Sequence, residues 1–211
     1  MKYTISKSFN TAVERTDRVL EVAEAFGLGL DDAKFVVYDG LEIDIEAGDV
    51  VYVTGQSGSG KSLLLNDLAA EMNQEGLGVM NIDGVELPEI PLVDQIGADT
   101  NESLEILSKA GLNDAYLFIR KPSELSDGQR YRLKLAHLMA KKADVWVCDE
   151  FGAVLDRVTA KVVAFSMQKV ARQMGVTLLV ATTHTDLGEE LGPNLTVAKR
   201  FREKVEVTIG D

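Results

Sequence analysis

Residues 55–62 read Gly-Gln-Ser-Gly-Ser-Gly-Lys-Ser, and their surroundings determine how the rest of the chain is read. The stretch matches G-x-x-x-x-G-K-[S/T] in full. Before it stands Val50-Val51-Tyr52-Val53, a short continuous apolar run of the kind that forms a parallel strand buried on both faces. After it, Lys61 to Glu75 carries a helical pattern. Strand, glycine-rich turn and helix start together make an anion cradle. Gly55, Gly58 and Gly60 let successive backbone N–H groups curl around an anion with no Cβ in the way. The helix points its positive end at the same place. Within the loop Gln56, Ser57 and Ser59 present backbone donors, Lys61 brings a mobile charge to the β- and γ-phosphates of a nucleotide such as ATP, and Ser62 offers a hydroxyl to Mg²⁺.

Downstream, Val145-Trp146-Val147-Cys148 is a second apolar run, ending in Asp149-Glu150. In a parallel sheet, ligands bind at the carboxyl ends of the strands, beside the phosphate loop. Asp149 is then positioned to hold Mg²⁺, directly or through water, and Glu150 to polarise a water for in-line attack on the γ-phosphate. An Asp-Glu pair after a strand is by itself commonly a solvated turn, and the loop upstream is what gives this pair its meaning.

Between and around these motifs, strands alternate with helices. Residues 1–10 suit an edge strand. Residues 11–26 show helical spacing (Val13, Val19, Leu20, Ala23, Phe26) closed by Gly27 and Gly29. Residues 34–45 read as strand, and 79–82 as a short strand. Helical patterns cover 102–110, 128–142 and 158–174, and strands are expected at 177–181, 195–198 and 205–209. The alternation predicts an α/β fold with a mostly parallel sheet covered on both faces. The chain is expected to be one domain over 1–211, with a small N-terminal β-region and a reduced helical subdomain at roughly 95–142.

With 211 residues, 45% hydrophobic and 27% charged, the chain can bury a core without metals or disulfides. The net charge of −12 argues against broad, charge-driven binding to nucleic acid or anionic membrane. Arg120, Lys121, Arg130, Arg132, Lys134, Lys141 and Lys142 form a local basic concentration, best read as a solvated helix face. Cys148 is the only cysteine, so no intrachain disulfide forms and a reducing compartment fits. No apolar run approaches the roughly 18 residues of a membrane span, and the first residues lack a signal-peptide pattern. A cytoplasmic protein with no direct membrane insertion is expected.

Leu125-Ser126-Asp127-Gly128-Gln129 opens the helix leading to the acidic strand. Ser126 and Gln129 have capping-box spacing, and a helix start with a free hydroxyl and a glycine is also an anion site. This stretch resembles the L-S-G-G-Q signature of the ABC ATPase family. Ala153-Val154-Leu155-Asp156 resembles that family's D-loop, and Thr183-His184 after strand 177–181 resembles its switch histidine. The resemblance spans roughly 36–200. It implies an ATP hydrolase in which two chains sandwich two ATP·Mg²⁺. Each nucleotide would lie between one subunit's loop and the Ser126, Gly128 and Gln129 end of the other, with Asp156 near the partner and His184 on the γ-phosphate. Gln95 is the candidate for the family's Q-loop glutamine at the metal, and Phe35 or Phe26 for an aromatic on adenine. Other features depart from the family pattern. Asp127 replaces a signature glycine, and Phe151 stands where transporter ATPases usually carry proline. The segment between loop and signature is short, which favours a soluble mechanochemical switch acting on a protein or nucleic-acid partner over the alternative, a transporter's nucleotide-binding subunit. Phe151-Gly152 with Leu155-Asp156-Arg157, Leu125 to Gln129 with Tyr131-Arg132, and Phe26-Gly27-Leu28-Gly29 are similar to prokaryotic and phage ABC-type ATPases sometimes fused to a predicted acetyltransferase, which implies a phage, mobile-element or DNA-modification setting.

Overall fold

The computed structural model describes residues 1–31, 33–199 and 205–210. Strand β1 (Lys2–Thr11) leads through helix α1 (Asp17–Phe26) to β2 (Ala33–Asp44), and then come β3 (Val50–Gly55), α2 (Lys61–Gln74) and β4 (Val79–Asn81). Two short 3₁₀ turns, Ile82–Gly84 and Leu92–Asp94, precede α3 (Thr100–Lys109) and α4 (Ala115–Phe118). After them come α5 (Asp127–Ala140), β5 (Val145–Cys148), α6 (Arg157–Met174) and β6 (Thr177–Thr182). The chain closes with α7 (Gly188–Leu191), β7 (Leu195–Lys199) and β8 (Glu206–Ile209).

The main sheet has the order β4-β5-β6-β3-β7-β8. Its pairs are parallel except β7 with β8, as the alternation of strand and helix predicts. Period-2 geometry sorts each central strand's side chains onto two faces. Val50 and Tyr52 of β3, Trp146 and Cys148 of β5, and Leu178 and Val180 of β6 face one core. That core includes Leu107 of α3, Leu133 and Leu135 of α5, and Val163 and Met167 of α6. The intervening residues, Val51 and Val53, Val145 and Val147, Leu179 and Ala181, face the other. There they meet Leu64, Leu65 and Leu68 of α2, Tyr3, Ile5 and Ile43 of the β1–β2 pair, and Ile45 just after it. The continuous apolar runs of the sequence are therefore strands buried on both sides.

β1 and β2 form a separate antiparallel pair. Polar ties to α2 fix it in place: the Tyr3 hydroxyl donates to Glu75 at 2.9 Å and Lys7 pairs with Asp67 at 2.9 Å. In the register, Lys7 faces Tyr38 while Ser8 faces Val36, so Val37 is an extra residue in β2. A bulge of this kind turns consecutive side chains toward the same side, and Val37 and Tyr38 are both buried.

The elements fall where the sequence places them, with two kinds of exception. α1 starts at Asp17 rather than near Thr11, because β1 runs on to pair with Ala33 and Thr16 caps the helix by accepting from Val19 N. Four-residue α4 and α7 are too short to leave a readable periodicity. Of the basic residues read as a helix face, Arg120 pairs with Glu124 at 2.8 Å, Arg130 pairs with Asp127, and Arg132 donates to Gly111 O at 2.7 Å.

Candidate nucleotide-binding site

Residues 55–62 link the end of β3 to the start of α2, and the glycines are needed for stated reasons. Gly55 has φ +146°, and a Cβ there would lie 1.8 Å from the carbonyl oxygen of Lys199. Gly60, at φ +102°, would place a Cβ 2.6 Å from Val37 Cγ1. The same glycine's carbonyl accepts a 2.9 Å hydrogen bond from the Tyr38 hydroxyl, so the bulge in β2 backs the loop directly. Lys61 is only 8% exposed. Its Nζ folds over the loop and donates to Gly55 O at 2.9 Å and Gln56 O at 2.8 Å. Burial lowers its pKa, while the charges of Asp149 and Glu150 act in the opposite direction. A lysine partly stripped of water and aimed along a loop of backbone donors is suited to an anion richer in charge than the two carbonyls it now caps.

Beside the loop opens a cleft of about 560 Å³ whose lining includes Ser57, Gly58, Lys61, Ser62, Asp149, Glu150, Ala153, Thr182 and Thr183. Sheet order explains the convergence. β5 pairs with β6 up to Cys148–Val180, and β6 pairs with β3 up to Thr54–Thr182, so three strand ends arrive together. The Asp149 carboxylate accepts from Glu150 N at 2.8 Å. Glu150 has φ +46°, and among the described residues it alone combines a side chain with positive φ. Such backbone costs about 1–3 kcal/mol and persists where the surroundings impose it. Phe151 is fully buried; its N–H donates to Ala181 O at 2.9 Å and its carbonyl accepts from Thr182 Oγ1 at 2.9 Å. Two hydrogen bonds to the end of β6 thus replace the stiffness that a proline would supply.

The remaining sequence candidates do not line this cleft. Ser126 and Gln129 form the expected capping box, with Ser126 N donating to Gln129 Oε1 at 2.9 Å and Gln129 N to Ser126 Oγ at 3.3 Å. Gly128 leaves room for residues 154–155, since a Cβ would lie 3.3 Å from Val154 O. Asp127 is paired with Arg130, which offsets the carboxylate that replaces a signature glycine. Asp156 caps α6 by accepting from Thr159 N at 3.0 Å; the Thr159 side-chain and backbone hydrogen bonds hold its pKa below the ordinary carboxylate value. His184 has its Nδ1 2.7 Å from Arg157 Nη1 and its carbonyl bonded to the Tyr52 hydroxyl, so the histidine is gripped from α6 and from β3. Gln95 is not brought to the cleft. Its Nε2 donates to Ile90 O at 2.7 Å and its Oε1 lies 3.0 Å from His137 Nε2, so the 3₁₀ turn before it commits both ends of the amide internally.

Phe35 is among the sequence candidates, whereas Phe9 beside it is not. Tyr3, Ile5, Lys7 and Phe9 alternate onto one face of β1, and Phe9 lies opposite Phe35 in the register. Phe35 packs on the same core as Val37 and Tyr38, while Phe9 is 43% exposed. The two rings continue the face that touches Gly60. The alternation in residues 3–9 was the available signal, but only the hairpin's seat beside the loop gives it meaning. Phe26, the other aromatic considered, is 76% exposed.

A parallel sheet with this loop, lysine and carboxylate pair at its strand ends defines a P-loop nucleotide-binding protein. The family model described as ABC transporter matches residues 38–96 and 85–153, and the chain belongs to that family, as its ATP-binding cassette. The cytochrome c biogenesis ATP-binding export protein CcmA of Nitrobacter winogradskyi is 31% identical over 176 residues, covering 72% of this chain and 86% of that protein. The methionine import ATP-binding protein MetN 1 of Oceanobacillus iheyensis is 24% identical over 189 residues, or 72% of this chain. The chain spans 55% of that protein's length, and 62% of the Haemophilus influenzae MetN. Among solved structures, a dimeric ATP-binding cassette in a post-hydrolysis state with ADP and Pi shares the fold with a TM-score of 0.67, at 17% identity and full coverage of both chains. Among the described residues, no helix is long and apolar enough to cross a membrane.

Proposed function

We propose that this chain is the nucleotide-binding subunit of an ABC transporter, and that it binds and hydrolyses ATP as a pair of copies closed around two nucleotides. The observation that carries the catalytic part is the convergence of Lys61, Ser62, Asp149 and Glu150 on one cleft. The transport part is supported by the relatives, which are named as import and export ATP-binding proteins. They weigh against the soluble switch that the short segment before Leu125 suggests. Neither CcmA nor MetN is named as a phage ATPase or an acetyltransferase fusion, and that setting is not part of the proposal.

In the proposed reaction the backbone of residues 55–61 and the Lys61 ammonium hold the β- and γ-phosphates. Ser62 and Asp149 suit Mg²⁺, which takes one or two protein oxygens and completes its shell with phosphates and water; the ion would neutralise charge on the phosphates. Glu150 orients a water in line with the γ-phosphorus and accepts its proton. The Ser126, Gly128 and Gln129 helix end would meet the γ-phosphate held by the other copy, with Asp156 beside that contact and His184, steered by Arg157, on the same phosphate. Phe9 and Phe35 form an apolar shelf where a base extending from the loop would rest.

Removing the carboxylate while keeping nucleotide binding tests this reading. Glu150→Gln should reduce phosphate release to a small residual rate, and on size-exclusion with ATP and Mg²⁺ it should run as a dimer that Lys61→Ala prevents. A protein that stays monomeric and keeps its turnover would refute the mechanism. Co-purification with a membrane-embedded permease is expected of a transporter subunit, whereas an ATP-dependent complex with a soluble protein or nucleic acid would restore the switch.

A further inference from the structure

Tyr131 lies on α5, two residues beyond the Ser126–Gln129 helix start, and touches the loop that carries Glu150. Its ring meets Phe151 edge-on, with centroids 6.2 Å apart and planes at 74°. Its hydroxyl oxygen accepts a 3.2 Å hydrogen bond from Gly152 N. The loop is thereby held from two sides, since Phe151 is also bonded through both backbone groups to the end of β6. Two tight turns, Ala153 N to Glu150 O and Leu155 N to Gly152 O, both 3.0 Å, stiffen what lies between. At the far end of the loop Val154 O and Leu155 close against Gly128. α5 therefore touches residues 151–155 at two points, one on each side of the Gln129 cap. Glu150, with its imposed positive φ, is the residue immediately before this clamped segment.

We propose that Tyr131 is a positioning residue, which locks the Glu150 loop to the start of α5 so that the two move as one body. This rests on the preceding reading, in which Glu150 serves the nucleotide on its own subunit while the start of α5 meets the nucleotide of the other copy. Under that arrangement the Tyr131 clamp links the two nucleotide sites. Engagement of the second nucleotide by Ser126–Gln129 is passed through α5, Phe151 and Gly152 to the angle at which Glu150 presents its carboxylate. The phosphate loop itself makes no use of Tyr131, so binding and turnover should respond differently to its loss.

Tyr131→Phe removes the oxygen and keeps the ring, and Tyr131→Leu removes both. The experiment measures ATP affinity, kcat, KM and melting temperature of the full chain for wild type, Glu150→Gln, the two Tyr131 variants and the double variant Tyr131→Phe/Glu150→Gln. With the loss of a hydrogen bond of ordinary strength, Tyr131→Phe is expected to lower kcat about tenfold, leave ATP affinity and KM within about twofold, and remain folded. Tyr131→Leu should lower kcat further. The double variant should turn over no more slowly than Glu150→Gln alone, because the clamp acts only through that carboxylate. Unchanged kcat in Tyr131→Phe, or losses that multiply in the double variant, would overturn the clamp. If wild type releases no phosphate or Glu150→Gln is fully active, the parent reading fails and the clamp with it. A normal response of Glu150→Gln with none of Tyr131→Phe overturns the clamp alone.

Discussion

At the scale of single residues, Glu150 combines the proposed catalytic carboxylate with backbone strain. A side chain at φ +46° crowds its own Cβ against the backbone, at about 1–2 kcal/mol, and glycine would not incur that cost. Glycine is ordinarily less stable than alanine at a site in regular structure, by about 0.5–1 kcal/mol. At this position the order should reverse: Glu150→Gly should melt about 2–4 °C above Glu150→Ala, and both should be inactive. An alanine variant melting at or above the glycine variant would mean that the positive φ is not maintained in solution. The carboxylate was legible in the sequence because it directly follows an apolar strand. Its backbone angle was not: the next residue, Phe151, is bonded to Ala181 and Thr182, which lie some thirty positions further along the chain and reach it only through the sheet.

Among the elements, the β1–β2 hairpin changes meaning most between sequence and structure. Its alternation predicts a half-buried strand, but nothing in residues 1–10 says that the pair leans on the phosphate loop. The bulge at Val37 puts Val37 and Tyr38 against Gly60 and projects Phe9 and Phe35 beyond it. If that shelf supports the base, Phe9→Ala should raise the KM for ATP by about tenfold, in keeping with about 1–3 kcal/mol for base–aromatic stacking, while kcat holds. A KM within twofold of wild type would remove the shelf from the site. α3 and α5 show the opposite case. Their periodicity was readable from local sequence, and the capping box expected of Ser126 and Gln129 opens α5, while the structure adds Asp99 as the cap of α3. The turn before Gln95 was not readable, because its partner His137 lies on α5, 42 positions away.

For the molecule as a whole, the two cores meet across one sheet, so the strands are the last part to open. Cys148 lies in β5 with no exposed surface, and burial among apolar groups pushes its thiol pKa well up. A buried thiol of this kind reacts only through opening of the sheet. With a stability of about 5–15 kcal/mol, labelling of the native protein by a thiol reagent should be at least about a thousandfold slower than in denaturant. It should accelerate in step with the unfolding of Trp146, the single tryptophan, which is buried two residues away. Rapid labelling without loss of the native tryptophan emission would show local opening of β5 and contradict a sheet held from both faces.

The amino-acid sequence alone determined the phosphate loop, the acidic pair, the order of strands and helices and the signature-like helix start. Each of these is contiguous, and its chemistry is set by neighbours within a few positions. Tertiary structure decided that the remaining candidates do not line the cleft, where the hairpin leans, how Phe151 is held after Glu150 and what Tyr131 touches. Those depend on sheet order, register and packing between residues far apart in the chain, which local periodicity does not encode. Residues 55–62 have the sequence of an anion-binding loop in themselves, but their place in a larger site comes from the strands on either side.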